Sequence, residues 1–505
     1  MEIEKGQQGP PSEAGRQQVP AAIQTPPGTT PPGISVTPSR GRRLPRAVKR
    51  ALAVAVVGGV VAGGVLALLP WLPGQRHEAP LPAPGPGAVT RAATALGAGM
   101  PASTADLTAL IDDRVAHLRT HPGDQESWAV LGTAYVEKGR QTADAAYFPK
   151  AEKALRTSLK AKPEDNVQAL AGLAALAGAR HDFRAAKRWG EQAVELAPKR
   201  WTSYPVLIEA YGQLGDQEAA AKTLDKLRGL GTSASSRAAG MLSAGQVYWN
   251  RGWREDAAAV LADATVLARS PAQESLGLFR SGEILWERGE PAQALRYYEA
   301  ALRADRGNHA ALAGKGRALA ALGRTAAAVR AYKAAIAKQP TPEYALELGE
   351  LYESLDDAKG ALAQYDALHA RVRRDDAGGV NDELILGLFE ADHGDPASAV
   401  RRLQAEWGRH GSAEVADALG WALHRAGDDE EALKHAVKAM DQGQISAVFA
   451  YHRGEIERAL GRYGAARRHL QQALRINPYF SPLLAPRAEA VLEELGEPAM
   501  SAPPD

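Results

Sequence analysis

Residues 312–340 read LAGKGRALAALGRTAAAVRAYKAAIAKQP, and this stretch decides the fold of the chain. Large apolar or aromatic residues such as Leu312 and Tyr332 recur at three-to-four-residue spacing, with small residues between them. That spacing indicates two amphipathic helices. Gly323 stands where the first helix ends, and Pro340 follows the second. The segment therefore predicts a helical hairpin.

The same order of residues returns along the chain with a period near 34 residues, from residue 104 onward. Its first copy reads Trp128-x2-Leu131-Gly132-x2-Tyr135 and then Ala151-x3-Leu155-x2-Ser158-x4-Pro163. The glycine that ends the first helix recurs as Gly215, Gly252, Gly289, Gly323, Gly427 and Gly461. This order of large, small and turn-forming residues resembles the tetratricopeptide repeat.

The resemblance implies an all-α fold, a right-handed superhelical solenoid of about ten helix-turn-helix repeats over residues 104–496. A single hairpin would leave one apolar face in water, and stacking of neighbouring hairpins covers that face. Residues 483–495 carry apolar residues at helical spacing and are predicted to form a C-terminal capping helix. Residues 107–118 are predicted to form the helix that closes the other end.

The N-terminal residues 1–50 differ sharply from the repeats. They contain eight Lys or Arg residues against three acidic ones, and six of the eight lie between Arg40 and Arg50. The first 39 residues are rich in Pro, Gly and polar residues, so they cannot bury enough apolar surface to fold. We therefore predict a disordered tail that ends in a basic juxtamembrane cluster.

Residues 51–69 form an uninterrupted apolar stretch. As a helix it would be about 28 Å long, close to the roughly 30 Å thickness of a bilayer core. Because the basic cluster precedes it, the positive-inside rule places the N-terminus in the cytoplasm. Residues 70–103, rich in Pro, Ala and Gly, are then a stalk, and 497–505 a disordered tail. The prediction is a single-pass membrane protein with an extracytoplasmic repeat domain.

The apolar stretch allows two further interpretations, cleavage as a signal peptide and dimerisation in the membrane. Cleavage of the stretch as a signal peptide would make the chain a secreted binding protein. Gly59 and Gly63 form a GxxxG pair, which would let two such helices approach closely and form a homodimer.

The sequence contains no recognisable catalytic, metal-binding or cofactor-binding motif. The chain has no cysteine, which excludes disulfides, thiolate metal sites and cysteine nucleophiles. Its twelve histidines are scattered and form no HExxH pair. No nucleophile elbow or dinucleotide-binding fingerprint is present, and the body lacks a basic face for nucleic acid. We therefore expect a protein that is not an enzyme and that needs no metal and no cofactor.

The resemblance further implies a concave groove, lined by the first helix of each repeat, that holds a peptide or protein. Two groups of residues not needed for packing are predicted to line it. The first is Gln246, Trp249, Asn250, Phe279, Arg280, Glu283, Trp286 and Glu287. The second is Trp421, His424, Arg425, Tyr451, His452, Glu455 and Arg458. Aromatic residues beside arginine are typical of binding hot spots, but Trp249 and Trp286 could equally pack between hairpins.

The sequence thus predicts a membrane-anchored scaffold that binds a protein or peptide of unknown identity. An alternative is an assembly factor of cell-envelope biogenesis, because residues 121–135 resemble periplasmic repeat domains of cytochrome c assembly. That likeness covers about one repeat, and its motif is generic to the superfamily.

Overall fold

The computed structural model describes residues 86–100, 102–231 and 233–496, which lie in one compact unit, Pro84–Asp505. These residues contain no β-strand. A short 3-10 turn, Trp201–Ser203, precedes the seventh helix. The helices are α1 (Ala88–Gly97), α2 (Thr104–Thr120), α3 (Gln125–Thr142), α4 (Tyr147–Ala161), α5 (Val167–Ala179), α6 (Phe183–Leu196), α7 (Tyr204–Gln213), α8 (Gln217–Gly229), α9 (Ala234–Asn250), α10 (Arg254–Val266), α11 (Pro271–Glu287), α12 (Pro291–Ala304), α13 (His309–Ala321), α14 (Thr325–Lys338), α15 (Pro342–Glu353), α16 (Ala358–Asp376), α17 (Glu383–His393), α18 (Pro396–Arg409), α19 (Ala413–Arg425), α20 (Asp429–Asp441), α21 (Ala447–Ala459), α22 (Tyr463–Ile476) and α23 (Leu484–Leu495).

From α3 to α22 the helices pack as consecutive hairpins, α3 with α4, α5 with α6, and so on to α21 with α22. First helices of successive hairpins contact one another along most of the array, for example α17 with α19. Contacts between successive second helices are few or absent. The first helices therefore lie on the inner side of the curve, where neighbouring hairpins come closest.

Small residues allow the two helices of a hairpin to approach. A Cβ atom on Gly316 would lie 2.7 Å from the ring of Tyr332, and one on Gly282 would lie 2.7 Å from the ring of Tyr298. Real Cβ contacts are not that short, so these positions need glycine if the tyrosines are to stay buried. Gly323 has a different task, because its φ of +70° ends α13 in a left-handed conformation that other residues resist.

Helix α1 lies within residues 70–103, where the sequence predicted an extended stalk. Its Ala92 is fully buried, and Val89 and Leu96 pack against the apolar cluster of α2 and α3. Arg91 also donates to Asp106 on α2. The alanine-rich composition that suggested a stalk therefore also suits a short helix with an apolar face.

The array folds back on itself along a seam that joins residues about 190 to 230 positions apart in sequence. The turns within hairpins of the first half of the array contact the loops that connect hairpins of the second half. The turn glycine Gly215 faces Gly411, and Gly289 faces Pro478. Such contacts are absent from a purely nearest-neighbour repeat array, so they link distant hairpins directly.

The seam is held mainly by side chains that donate to backbone carbonyls on the other side. Arg180 Nε donates to Gly378 O at 2.8 Å, and Arg254 Nη2 donates to Ile445 O at 2.7 Å. Asn477, which is buried, donates through Nδ2 to Trp286 O at 2.9 Å. The bonds to Gly378 and Ile445 satisfy loop carbonyls, whereas Trp286 O lies in the last turn of α11 and also accepts from the Gly289 N–H.

The membrane topology predicted from the sequence requires correction. Within residues 86–100, 102–231 and 233–496, no helix combines the length and the apolar character needed to cross a membrane. The prediction of a single-pass protein with an extracytoplasmic repeat domain therefore does not stand. The apolar stretch 51–69, with the Gly59 and Gly63 pair proposed for a homodimer, lies outside the described residues, as do the tails 1–50 and 497–505.

Candidate binding site

The inner face between α11 and α15 carries a row of ionisable side chains, which we call the carboxylate ladder. Arg317 on α13 lies 3.0 Å from Glu283 on α11 and 3.4 Å from Glu347 on α15. Tyrosines of the second helices support the two carboxylates, since Tyr298 donates to Glu283 at 2.6 Å and Tyr332 donates to Glu347 at 2.8 Å. One arginine thus joins three successive first helices.

Carboxylates outnumber cations along this ladder. Glu287, one turn beyond Glu283, has no ion pair among the described residues. Burial raises its pKa to about 7, against partial compensation by Arg317. Burial also raises the pKa of Glu350, which lies 3.7 Å from His393. Both carboxyl groups are half-buried, and their enclosure by protein disfavours the charged form.

The structure brings together the polar members of the first predicted group. Gln246 and Asn250 on α9 bond to each other at 2.8 Å, and Arg280 on α11 donates to Gln246. Trp249 is half-buried, with the Arg254 guanidinium 5.4 Å from its ring centre. Phe279 is half-buried against Tyr298. The group forms a continuous polar edge beside the carboxylate ladder.

Six of the seven residues in the second predicted group line one pocket of about 300 Å³. They are Trp421, His424, Arg425, Tyr451, Glu455 and Arg458, and α23 adds Arg487, Ala490 and Val491 as the end wall. We call this the arginine pocket. The seventh residue, His452, lies behind the pocket, stacked on Trp421 with ring centres 4.2 Å apart and bonded to Asp417 at 2.9 Å.

Four aromatic residues of the two predicted groups are buried. Trp286, Trp421, Tyr451 and His452 are each no more than 5% exposed. Trp421 donates through Nε1 to Asp392 on the neighbouring first helix, which fixes its ring between hairpins. The four are therefore not exposed anchors, and for Trp286 the burial agrees with packing between hairpins, which the sequence had left as an alternative. Their part in binding, like that of the other predicted residues, stays a prediction.

Sequence reasoning missed Arg317, Glu347 and Arg487. The first of these had a readable signal, because Arg317 lies 34 residues after Glu283 and so occupies the same position of the next repeat. Arg487 had none, since α23 lies beyond the last repeat and its place in the pocket depends on how that helix packs on α22.

Two other cavities lie away from the inner face. One, of about 590 Å³, is lined by residues of α6, α7 and α8, including Val194, Tyr204 and Leu207. The other, of about 630 Å³, lies at the seam around His181 and His410. No group of His, Asp or Glu side chains in the described part of the chain is arranged to hold a metal ion.

Comparison with known families now identifies the repeats. Models of the tetratricopeptide repeat match residues 242–309, 279–341 and 313–376, and a further model matches residues 448–480. The chain contains tetratricopeptide repeats. Helices α10 to α16 fall wholly within the first group of matches and α22 within the last. The total of about ten tetratricopeptide repeats and the right-handed sense of the superhelix stay predictions.

Several solved structures with helical repeats are similar to this chain. PilF of Pseudomonas aeruginosa is 17% identical over 48% of this chain and 98% of its own, with a TM-score of 0.34. A tetratricopeptide repeat protein of Parabacteroides merdae is 17% identical over 52% and 99%, with a TM-score of 0.31. Human IFIT1 is 16% identical over 63% and 72%, with a TM-score of 0.40. No curated protein matches the sequence.

Proposed function

We propose that this chain is a non-catalytic scaffold whose inner face holds an extended segment of a partner protein. The ladder from Glu283 through Arg317 to Glu347 carries the proposal. It joins three successive first helices and so sets half-buried charged groups along the inner side of the curve. Charged and aromatic groups on a concave helical surface suit main-chain and side-chain recognition of a peptide.

The proposal gains support from the surplus of hydrogen-bonding capacity on the same face. Glu287 has no ionic partner among the described residues, and the Arg280 side chain is exposed. A surface built only to stabilise the array would pair or remove such groups, since an unpaired enclosed carboxylate destabilises the folded state. A partner that supplies cations or donors would compensate them.

Photo-crosslinking in the native host tests the proposal. A benzophenone amino acid replaces Arg280, which is exposed on the first helix α11, or Arg296, which is exposed on the second helix α12. We expect a discrete crosslinked partner from position 280 and none from position 296. Trp249→Ala should reduce the yield while the helical circular dichroism stays unchanged. Equal capture from both positions would refute binding on the inner face.

Assembly of envelope components is the second candidate function that the sequence suggested. Its only support is the likeness of residues 121–135 to cytochrome c assembly domains, and the comparisons do not favour it. The partner identified by crosslinking would decide between a general scaffold and that role.

A further inference from the structure

The arginine pocket presents hydrogen-bond donors that no group in the described part of the chain uses. Arg425 donates through Nε to Ala391 O at 3.2 Å and lies 3.5 Å from Asp392, which leaves both of its terminal nitrogens without a bond among the described residues. Arg458 uses Nε and Nη2 on Glu455, so its Nη1 stays open. Arg487 is exposed and has no ion pair in the described chain.

The carboxylate in the same pocket is already paired. Glu455 is buried and takes three contacts from Arg458, the shortest at 2.8 Å. His424 bonds to Asp429 outside the pocket. The lining therefore carries three arginines against one paired glutamate, so its open hydrogen-bonding groups are mainly cationic donors, and they lie beside apolar surface from Trp421 and Val491. A ligand that fits must bring acceptors and negative charge.

We propose that the arginine pocket binds an acidic side chain, Asp or Glu, of the partner segment, with an apolar neighbour against Val491. This inference rests on the proposed function, because it names the chemistry of one anchor on the same inner face. A guanidinium matches a carboxylate with two parallel hydrogen bonds, and Arg425 and Arg487 both keep such a pair of nitrogens available.

The size and position of the pocket agree with a side-chain anchor. A volume of about 300 Å³ holds one or two side chains and excludes a folded domain. The pocket lies where α19, α21 and α23 meet, whereas the carboxylate ladder lies on α11 to α15. A partner segment along the inner face would then meet acidic groups at the ladder and basic groups here. The two regions together would set the direction in which the segment lies.

Selection from a phage library of random peptides tests the inference with the full chain as bait. Peptides fused through their carboxyl end to a coat protein have no free terminal carboxylate, so the selection reports side chains only. Wild type should select segments that carry Asp or Glu next to an apolar residue. The double variant Arg425→Glu/Arg487→Glu should bind those segments about tenfold or more weakly and should select Lys or Arg instead.

Arg330→Glu is the matched control, since Arg330 is exposed on the second helix α14, and it should leave the selection unchanged. Unchanged melting temperatures would show that the exposed substitutions preserve the fold. Selected segments without acidic residues, or equal binding by the double variant, would overturn the acidic anchor and leave peptide binding intact. A wild-type selection that yields no peptide at all would overturn the proposed function and the anchor together.

Discussion

Contact between distant hairpins at the seam predicts a specific effect of Gly215→Ala. Gly215 ends α7 with a φ of +79°, and a Cβ atom there would lie 2.8 Å from the carbonyl oxygen of Gly411. Gly323 ends α13 with a φ of +70°, and a Cβ atom there would meet nothing within 4 Å. The two glycines therefore share one backbone conformation, but only Gly215 lies in contact with the other side of the seam.

The cost of Gly215→Ala has two parts, one from the backbone conformation and one from contact across the seam. Placing alanine in the left-handed conformation costs about 1–2 kcal/mol at either position. At Gly215 the new methyl also meets backbone that cannot move without opening the seam, which adds about 1–3 kcal/mol. We therefore expect Gly215→Ala to lower the free energy of unfolding by about 2–5 kcal/mol and Gly323→Ala by about 1–2 kcal/mol.

Urea unfolding followed by circular dichroism measures both variants, and hydrogen exchange reports where the seam opens. Amides of residues 408–413 should exchange faster in Gly215→Ala than in wild type and should not change in Gly323→Ala. Equal losses of stability in the two variants, with unchanged exchange at 408–413, would refute contact between these parts of the array.

Three further substitutions test buried polar groups. Burial raises the pKa of Glu287 to about 7 from an ordinary 4.5, so its ionisation destabilises the fold as pH rises between these values. Glu287→Gln should therefore raise the free energy of unfolding above about pH 7, by less than about 3 kcal/mol because water partly screens the group. An equal gain below about pH 4.5, or in the exposed control Glu274→Gln, would contradict this. Burial alone would raise the pKa of Glu406, but hydrogen bonds from His410, Asn381 and Arg409 lower it to about 2. The stabilisation that the Glu406 carboxylate contributes is therefore present above about pH 4.5 and lost as pH falls toward 2. Glu406→Gln should lower the free energy of unfolding by about 3 kcal/mol near pH 7, and the stability of the variant should approach that of wild type in acid. A constant difference in stability at all pH values would count against this. Asn477→Ala removes the hydrogen bond to Trp286 O and should lower the free energy of unfolding, measured in urea, by about 1–3 kcal/mol. An unchanged urea midpoint would contradict this.

Much of the hairpin architecture could be read from short sequence spacings. The residues around Gly323 predicted two helices and their turn, and α13 and α14 lie on either side of that glycine. Such predictions succeed because each depends on residues a few positions apart. The same reasoning failed for α1, whose alanines suit a stalk and a helix equally until contact with α2 and α3 favours the helix.

The candidate site was only partly predictable. Spacing placed Trp421, Arg425 and Arg458 on one face, and they line one pocket. It could not tell that Trp421 would be covered, because exposure depends on how closely neighbouring hairpins pack and on the bond to Asp392. Arg487 likewise lines the pocket only because of how α23 packs on α22, whereas the spacing of Arg317 from Glu283 could have been read from the sequence.

By itself the sequence determined that the chain is an array of helical hairpins containing tetratricopeptide repeats, because the repeat of large and small residues specifies how each helix packs on the next. Only the tertiary structure decided that Gly215 meets Gly411, that Asn477 reaches Trp286, and that α23 completes the arginine pocket. The physical reason is that a small rotation between neighbouring hairpins accumulates along the array. Which distant edges meet depends on that accumulated curvature, and no local spacing of residues encodes it.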